Sequence, residues 1–177
     1  MRALRYADIK PVDVANGTGV RVSLFVQGCN RHCKGCFNES TWDFNGGKPF
    51  TREVANQLLS YLDPDYIDGI SILGGEPFEY VDYLICLLIE VKERFPKKDV
   101  YVWSGYTWEE ILEDAEKRRL LEYIDILVDG AFEEDKKDIS LQFRGSSNQR
   151  CIDVKDSICL GHLVEWRWEN DSRYSRY

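Results

Sequence analysis

Strand-like and helix-like segments alternate along most of this chain. Short runs rich in apolar and β-branched residues, typical of strands, lie at residues 20–27, 67–73, 100–103 and 124–128. Segments with helical features follow the first three of these runs, at residues 51–62, 80–95 and 107–123. Strands and helices in this order predict an α/β fold with a parallel sheet and right-handed crossovers. Because four or five such units are too few for a closed eight-stranded barrel, we expect an open partial (β/α) barrel. It should have about four to six mostly parallel strands, with helices on its outer face.

Capping residues support the helix boundaries, and the pattern weakens toward the C-terminus. Thr51 can cap the first helix, and Thr107 with Glu110 forms a T-x-x-E capping box for the third. Beyond residue 130, Leu141 and Phe143 predict a short strand, and residues 151–154 predict one more. We therefore expect one partial-barrel domain over residues 1–165, followed by a polar, aromatic tail at residues 166–177.

Length and charge exclude several classes of protein. A chain of 177 residues buries enough surface to form one core without disulfides. Its formal net charge of -8 disfavours binding to nucleic acid or to anionic membranes through bulk electrostatics. No apolar run approaches about 18 residues, and the first ten residues lack the apolar core of a signal peptide. We expect a cytoplasmic protein that acts on a protein partner or a small molecule.

Chemically unusual segments follow each of the four predicted strands. They are the cysteine-containing loop at residues 28–50, the Gly-Gly-Glu-Pro segment at 74–77, Ser-Gly-Tyr at 104–106 and Asp-Gly at 129–130. Ligands of parallel α/β folds bind at the carboxyl ends of the strands. We therefore expect all four segments to meet at one edge of the sheet and to form one site.

Three of the six cysteines lie in the first of these segments, within a stretch of only eight residues: Cys29, Cys33 and Cys36. Clustered cysteines in a reducing compartment are more often metal ligands than disulfide partners. Iron–sulfur clusters are held by cysteine thiolates, usually four of them. A set of three leaves one iron open to another ligand, which is the arrangement that a catalytic metal requires.

Other interpretations of the cysteines remain open at this point. Two of the three could form a disulfide, or the three could bind a structural zinc completed by His32, Cys151 or His162. His32 otherwise has the character of a solvated loop residue. Cys86 lies in an apolar helix, so we expect it in the core. For Cys151 and Cys159 we favour structural roles.

The spacing Cys29-x₃-Cys33-x₂-Cys36 resembles the cluster motif of radical S-adenosylmethionine enzymes. The surrounding residues resemble the branch of that superfamily that activates glycyl radical enzymes; they are Gly17, Gly19, Arg21, Phe25, Gly28 and Asn38. Residues 125–132 (DILVDGAF) and 144–150 (RGSSNQR) are similar to the activating proteins of the anaerobic (class III) ribonucleoside-triphosphate reductase. The resemblance covers nearly the whole chain and is weak only in the tail.

The resemblance implies a specific chemistry. Cys29, Cys33 and Cys36 would hold a [4Fe–4S] cluster, and the amino and carboxylate groups of S-adenosylmethionine would bind the fourth iron. One electron from the cluster would cleave the cofactor to methionine and a 5′-deoxyadenosyl radical. That radical would take a hydrogen atom from a glycine of the large subunit of the reductase. A one-electron donor such as flavodoxin or ferredoxin would supply the electron.

The resemblance also implies which residues bind the cofactor. Gly74 and Gly75 would let the main chain approach it closely, and Glu76 would accept hydrogen bonds from its ammonium group. The backbone at Gly35 and Phe37 would contact the adenine. Two further cofactor-binding candidates are Ser104, which would bind a ribose hydroxyl, and Asp129, which would orient the cofactor or a cation. Arg21 would brace the cysteine loop, and no catalytic residue beyond the cofactor ligands is implied.

Alternatives to this function stay open in the sequence. The chain could activate another glycyl radical enzyme of the pyruvate formate-lyase type, or act as a radical S-adenosylmethionine enzyme on a small metabolite. It could also be a zinc-binding module without catalytic activity. The role of residues 144–150 is undecided between partner docking, cofactor contact and a solvated loop. A target glycine in another protein requires a groove beside the cluster that is wide enough for a peptide.

Overall fold

A computed structural model describes residues 3–167. Its strands are β1 (Arg5–Asp13), β2 (Arg21–Gln27), β3 (Lys48–Pro49), β4 (Gly69–Gly74), β5 (Asp99–Trp103), β6 (Ile126–Asp129) and β7 (Arg150–Asp153). Its α-helices are α1 (Arg52–Leu62), α2 (Val81–Arg94), α3 (Trp108–Glu113), α4 (Ala115–Leu120) and α5 (Val154–Leu160). Short 3₁₀ turns lie at Glu39–Thr41, Pro77–Tyr80, Leu121–Tyr123 and Glu134–Lys136.

The seven strands form one mixed sheet in the order β3-β1-β2-β4-β5-β6-β7. The central strands β2, β4, β5 and β6 pair in parallel, as the β–α alternation predicts. The outer pairs, β1 with β2, β1 with β3 and β6 with β7, are antiparallel. The prediction of an α/β fold is confirmed, but the prediction of four to six mostly parallel strands is wrong. Strands β1 and β3 add antiparallel pairs at one edge, and β7 follows a long loop without a crossover helix, so it also returns antiparallel.

Alternate residues of the central strands serve two different faces of the sheet. Val22, Leu24 and Val26 of β2 belong to the core together with buried residues of the helices, such as Leu58 and Leu84. The residues between them point to the other face. On that second face Phe25 of β2, Leu73 of β4 and Trp103 of β5 line a cavity. Helix packing therefore covers one face and leaves the other for a site.

The buried Arg21 ties three parallel strands together near the start of β2. Its guanidinium forms an ion pair with Asp99 at 2.7 Å and donates to Ser71 at 2.7 Å and to the carbonyl of Thr18 at 3.2 Å. The guanidinium also lies over the ring of Tyr101, 3.9 Å from its centroid. Arg21 is thus a structural brace, as predicted, although it braces the strands and the 14–20 loop rather than the cysteine loop.

Several local predictions are wrong. The predicted helix over residues 107–123 is broken at Asp114, whose side chain accepts from the main-chain N–H groups of Glu116 and Lys117 and so starts a second helix, α4. No strand forms at Leu141 or Phe143. Cys86 is exposed, because α2 turns its apolar side toward the sheet and leaves this position on the opposite side.

The remaining expectations about the ends of the chain are only partly within the described residues. The predicted tail at residues 166–177 lies outside them, except for Trp166 and Arg167. The main chain of Trp166 donates to the carbonyl of Cys151 at 2.8 Å, so this part of the chain runs beside β7. Within residues 3–167, no helix has the length and apolar character needed to cross a membrane.

Candidate cluster and cofactor site

A cavity of about 490 Å³ opens on the face of the sheet that the helices leave uncovered. All four segments that the sequence predicts to meet contribute to its wall. The lining residues from these segments include Cys29, Cys33, Cys36, Phe37, Gly74, Gly75, Glu76, Ser104, Gly105 and Gly130. The structure therefore brings the four strand ends to one site, because parallel strands present their carboxyl ends at the same edge.

The cysteine loop is anchored to the end of β2 by main-chain hydrogen bonds. Gly28 donates to the carbonyl of Thr41 at 2.7 Å, and Cys29 donates to that of Trp42 at 3.1 Å. Gly28 has φ +104°, and a Cβ at this position would lie 2.2 Å from the ring of Phe44. A residue with a side chain at position 28 would therefore displace the loop at the point where it leaves the edge of the sheet.

Main-chain N–H groups donate to sulfur atoms of the cysteine loop. The N–H of Arg31 donates to Sγ of Cys29 at 3.4 Å, and the N–H of Asn38 donates to Sγ of Cys36 at 3.3 Å. Burial raises the pKa of the Cys29 and Cys33 thiols, and the main-chain N–H groups only partly offset it. Such thiols become stable thiolates when a metal binds them, since coordination favours the deprotonated form.

The donor set fits an iron–sulfur cluster better than the alternatives. All six cysteines are free, which contradicts the disulfide interpretation. Among the described residues, no three His, Cys, Asp or Glu side chains are grouped as ligands for a single metal ion, and this holds for Cys29, Cys33 and Cys36 as well. A cubane cluster instead takes one cysteine per iron. His32 is exposed and stacks on Trp42 with 4.7 Å between ring centroids, in agreement with its predicted place in a solvated loop.

Glu76 is a buried carboxylate in the wall of the cavity. It accepts hydrogen bonds from the N–H of Phe78 at 3.0 Å, from the N–H of Gly105 at 2.7 Å and from the hydroxyl of Ser104 at 2.9 Å. Burial nevertheless raises the pKa of Glu76 to about 7, and nearby Glu79 also raises it. A cation in the cavity would stabilise the ionised form, so this side chain suits an ammonium ligand.

The Gly74-Gly75 pair is required by the protein's own packing. Gly74 has φ +103°, and a Cβ there would lie 2.8 Å from the carbonyl oxygen of Val26. A Cβ on Gly75 would lie 2.3 Å from the carbonyl oxygen of Gly28. The ends of β2 and β4 thus approach too closely for side chains. Both glycines also line the cavity, so the close approach that the sequence predicts toward a ligand is first of all an approach between two strands.

The other predicted cofactor residues differ in their positions. Ser104 lines the cavity, but its hydroxyl donates to Glu76 and accepts from the N–H of Tyr106. Gly35 has φ +70° in the cysteine loop. Phe37 is 63% exposed at the cavity, with its ring 5.2 Å from that of Phe132.

Asp129 is buried but does not line the cavity as the structure describes it. Its carboxylate accepts from the N–H of Trp108, at the start of α3, at 2.6 Å and forms an ion pair with Arg150. Arg150 also pairs with Glu109 of α3 at 2.7 Å. Asp129 therefore joins β6, β7 and α3 in this structure, and its neighbour Gly130 is the residue that reaches the cavity.

Comparison with known protein families is consistent with this geometry. The family model described as "4Fe-4S single cluster domain" matches residues 15–152. An anaerobic ribonucleoside-triphosphate reductase-activating protein from Pasteurella multocida (strain Pm70) is 41% identical over 150 residues, covering 82% of this chain and 95% of the relative. The chain belongs to the family of anaerobic ribonucleoside-triphosphate reductase-activating proteins.

Two further members of the reductase-activating family have similar coverage. The protein of that name from Escherichia coli (strain K12) is 41% identical over 82% of this chain and 96% of its own length. The one from Enterobacteria phage T4 is 38% identical over 88% of this chain and 97% of its own length. The family resemblance identified from the cysteine spacing and from residues 125–132 and 144–150 is confirmed.

Sequence reasoning missed several residues of the cavity in this member of the family. Asn16 comes from the loop before β2, Trp42 from the end of the cysteine loop, Trp103 from the last position of β5, and Phe132 and Arg144 from the long loop before β7. Trp103 could have been found, because it directly precedes Ser104 at a strand end. Asn16 and Trp42 reach the cavity only through the folding of loops, for which no short sequence signal exists. Phe132 and Arg144 lie within the segments 125–132 and 144–150 that carry the family resemblance, although neither side chain was itself predicted to line the site.

Proposed function

We propose that this chain activates an anaerobic ribonucleoside-triphosphate reductase by generating a glycyl radical in the large subunit of that enzyme. One observation carries the proposal: Cys29, Cys33, Cys36 and the buried Glu76 share the wall of one cavity at the strand ends. Family membership supplies the target, since the relatives are named as activating proteins of that reductase.

Cys29, Cys33 and Cys36 hold a [4Fe–4S] cluster in this proposal, and Glu76 binds the ammonium group of S-adenosylmethionine. When bound and reduced, the cluster would supply the electron for cleavage of the cofactor, which would provide the radical chemistry needed to take a hydrogen atom from the reductase glycine. The N–H groups of Arg31 and Asn38 orient the sulfur atoms that ligate the cluster. These contacts also stabilise negative charge on the thiolates.

Other residues of the cavity position the cofactor. Ser104 holds the carboxylate of Glu76 in place, with the N–H of Gly105 as second donor. Gly74 and Gly75 keep the ends of β2 and β4 together, so Glu76 lies beside the cysteine loop. The backbone at Gly35 and Phe37 contacts the adenine. Asp129 acts at a distance, by fixing the strand end that carries Gly130.

The target glycine enters through the open side of the cavity. We propose that the uncovered sheet face is the inside of an open partial barrel, formed by residues 1–165 as one domain. Phe37 and Ile139 line the cavity and are 63% and 91% exposed, so an extended peptide can reach them. An extended segment of the reductase placed there excludes water from the site and protects the radical from side reactions.

The remaining parts of the proposal are the electron donor and the location. A flavodoxin or ferredoxin donates the electron. Cys33 and Cys36 support this assignment, because they are only partly buried and an edge of the cluster is therefore near the surface. The reaction takes place in the cytoplasm, where free cysteines such as the exposed Cys86 and Cys159 persist.

The decisive experiment mixes anaerobically reconstituted, reduced protein with S-adenosylmethionine and the purified reductase. Electron paramagnetic resonance should detect a glycyl radical doublet that is absent without the cofactor. Cys33→Ala should lose the cluster absorbance and the doublet, whereas the matched variant Cys86→Ala should keep both, since Cys86 is exposed on α2. A doublet of undiminished intensity in Cys33→Ala would contradict the ligand assignment. Cofactor cleavage without a doublet would contradict the assignment of the reductase as target.

A further inference from the structure

The side chain of Tyr106, in the turn between β5 and α3, supports the first part of the cysteine loop. The guanidinium of Arg31 lies over its ring, 4.7 Å from the centroid. The side-chain amide of Asn30 donates to its hydroxyl at 3.3 Å and to Oε1 of Glu79 at 2.8 Å. Because Asn30 and Arg31 directly follow Cys29, Tyr106 supports the loop immediately beside its first cysteine.

The hydroxyl of Tyr106 also joins this turn to the segment that carries Glu76. It donates to Oε1 of Glu79 at 2.8 Å, and Glu79 lies in the 3₁₀ turn that begins directly after Glu76. Burial raises the pKa of Tyr106 to about 12, and the hydrogen bond to Glu79 also raises it, so the hydroxyl stays protonated and remains the donor. One oxygen of Glu79 is therefore shared by a residue of the cysteine loop and a residue of the turn after β5.

The main chain of Tyr106 is bonded to the remaining parts of the site. Its N–H donates to the hydroxyl of Ser104 at 3.0 Å, and that hydroxyl donates to Oε1 of Glu76 at 2.9 Å. Its carbonyl accepts from the N–H of Gly130 at 3.0 Å. Tyr106 therefore contacts all four segments that form the site, although it does not itself line the cavity as the structure describes it. These contacts fix its neighbours relative to one another.

We propose that Tyr106 is a positioning residue that fixes the separation between the cluster and Glu76; this assignment rests on the proposed function. In that function the cluster and Glu76 bind the same molecule of S-adenosylmethionine, so both contacts form only when their separation is kept. Groups that act together on one ligand must be held within about 0.5 Å by residues whose own contacts are fixed. Tyr106 provides such contacts without touching the cofactor. Its loss therefore lowers the affinity for the cofactor and leaves the three cysteine ligands in place.

The test is Tyr106→Phe, which removes the hydroxyl but keeps the ring on which Arg31 and Lys117 lie. The reduced, cluster-loaded protein is titrated with S-adenosylmethionine, and electron paramagnetic resonance of the cluster gives the cofactor concentration at half of the spectral change. We expect Tyr106→Phe to raise this concentration about tenfold, because it loses a hydrogen bond to a charged group. Iron bound per chain and the spectrum without cofactor should match those of wild type, which a general loss of structure would not leave unchanged.

Two further variants show whether the effect passes through the cysteine loop. Asn30→Ala removes the loop side of the same contact, so adding it to Tyr106→Phe should weaken binding by less than Asn30→Ala does alone. Tyr61→Phe is the matched control, because it removes a hydroxyl that accepts from Gln57 on α1 and does not line the cavity. Its half-saturating concentration should equal that of wild type.

An unchanged cofactor affinity in Tyr106→Phe, an equal loss in Tyr61→Phe, or full additivity in the double variant overturns the proposal. A folded Tyr106→Phe that binds less iron also overturns it, because Tyr106 would then act on cluster assembly. If thermal melting shows that Tyr106→Phe is unfolded, Glu79→Gln provides the test. It keeps Oε1 as acceptor but removes the charge, so binding should weaken by a smaller factor, and unchanged binding overturns the proposal. The glycyl radical doublet of wild type is recorded separately, so failure here leaves the proposed function intact.

Discussion

The buried carboxylate of Glu76 should make the stability of the cluster-free protein depend on pH in an unusual direction. Burial raises the pKa of Glu76 from its ordinary value of 4.5 to about 7 in the folded chain. Below both values the group is protonated in the folded and unfolded states and costs nothing. As the pH rises between them, the unfolded chain loses its proton first, so the free energy of unfolding falls. Above the folded pKa the loss is complete, at about 3 kcal/mol.

Replacement of Glu76 by Gln should remove this dependence. The amide has nearly the same volume, but it directs an N–H₂ group at one of the donors that the carboxylate accepts from, so the variant carries a penalty of its own. That penalty does not titrate. Urea unfolding of wild type and Glu76→Gln at several values between about pH 5 and about pH 8 therefore isolates the titration. The stability of wild type relative to the variant should fall by about 2–3 kcal/mol over this range.

Glu110→Gln provides the control, since an acceptor role toward the N–H of Thr107 lowers the pKa of Glu110. Because the pKa of Glu110 in the folded chain lies below its unfolded value, its stabilising contribution is already present at about pH 5, and the difference between wild type and Glu110→Gln should stay nearly constant up to about pH 8. A difference between wild type and Glu76→Gln that stays flat, or that rises with pH, would refute the reasoning. Either result would mean that solvent or a counter-ion stabilises the ionised form of Glu76 in the folded chain.

Three further predictions concern packing and local structure. Gly75→Ala should reduce the iron bound per chain after reconstitution, because its Cβ would lie 2.3 Å from the carbonyl oxygen of Gly28 and displace the cysteine loop; normal iron content would contradict this. Leu84→Ala should lower the free energy of unfolding by about 2–5 kcal/mol in urea, since Leu84 is fully buried under the sheet; a loss below about 1 kcal/mol would show that the site can collapse. Thr107→Ala should cost about 1 kcal/mol in the same assay, because it removes one half of the capping box with Glu110, and Thr107→Ser should retain most of that stability.

Parts of the fold were predictable because the signal is local. The β-branched runs of β2, β4 and β5 and the capping residues Thr51 and Thr107 act within a few residues of themselves. The N-terminal strand β1 was not predicted, because it is half exposed, irregular in its pairing and contains Pro11. Proline and polar residues weaken a strand signal, and only pairing with β2 and β3 stabilises this segment.

The residues of the site also fall into two groups, those that the sequence predicts and those that it does not. Its cysteines and the residues at 74–76 were predictable, because they follow directly after strands whose carboxyl ends must meet. The exposure of Cys86 was not, since α2 is apolar around much of its circumference and only docking on the sheet decides which side is buried. The separation of Asp129 from the cavity depends on Arg150 and Trp108, which lie about twenty positions away along the chain.

The order of residues along this polypeptide was by itself enough to set the β–α alternation, the sulfur-rich loop and membership of the reductase-activating family. Those properties depend on short-range conformational preference and on the chemical identity of side chains. The folded structure was needed to show that the outer strands pair antiparallel, that packing between strands requires Gly74 and Gly75, and that Arg144 reaches the cavity. Burial, ion pairing and close approach arise between segments distant in sequence, and they exist only after the chain has brought those segments together.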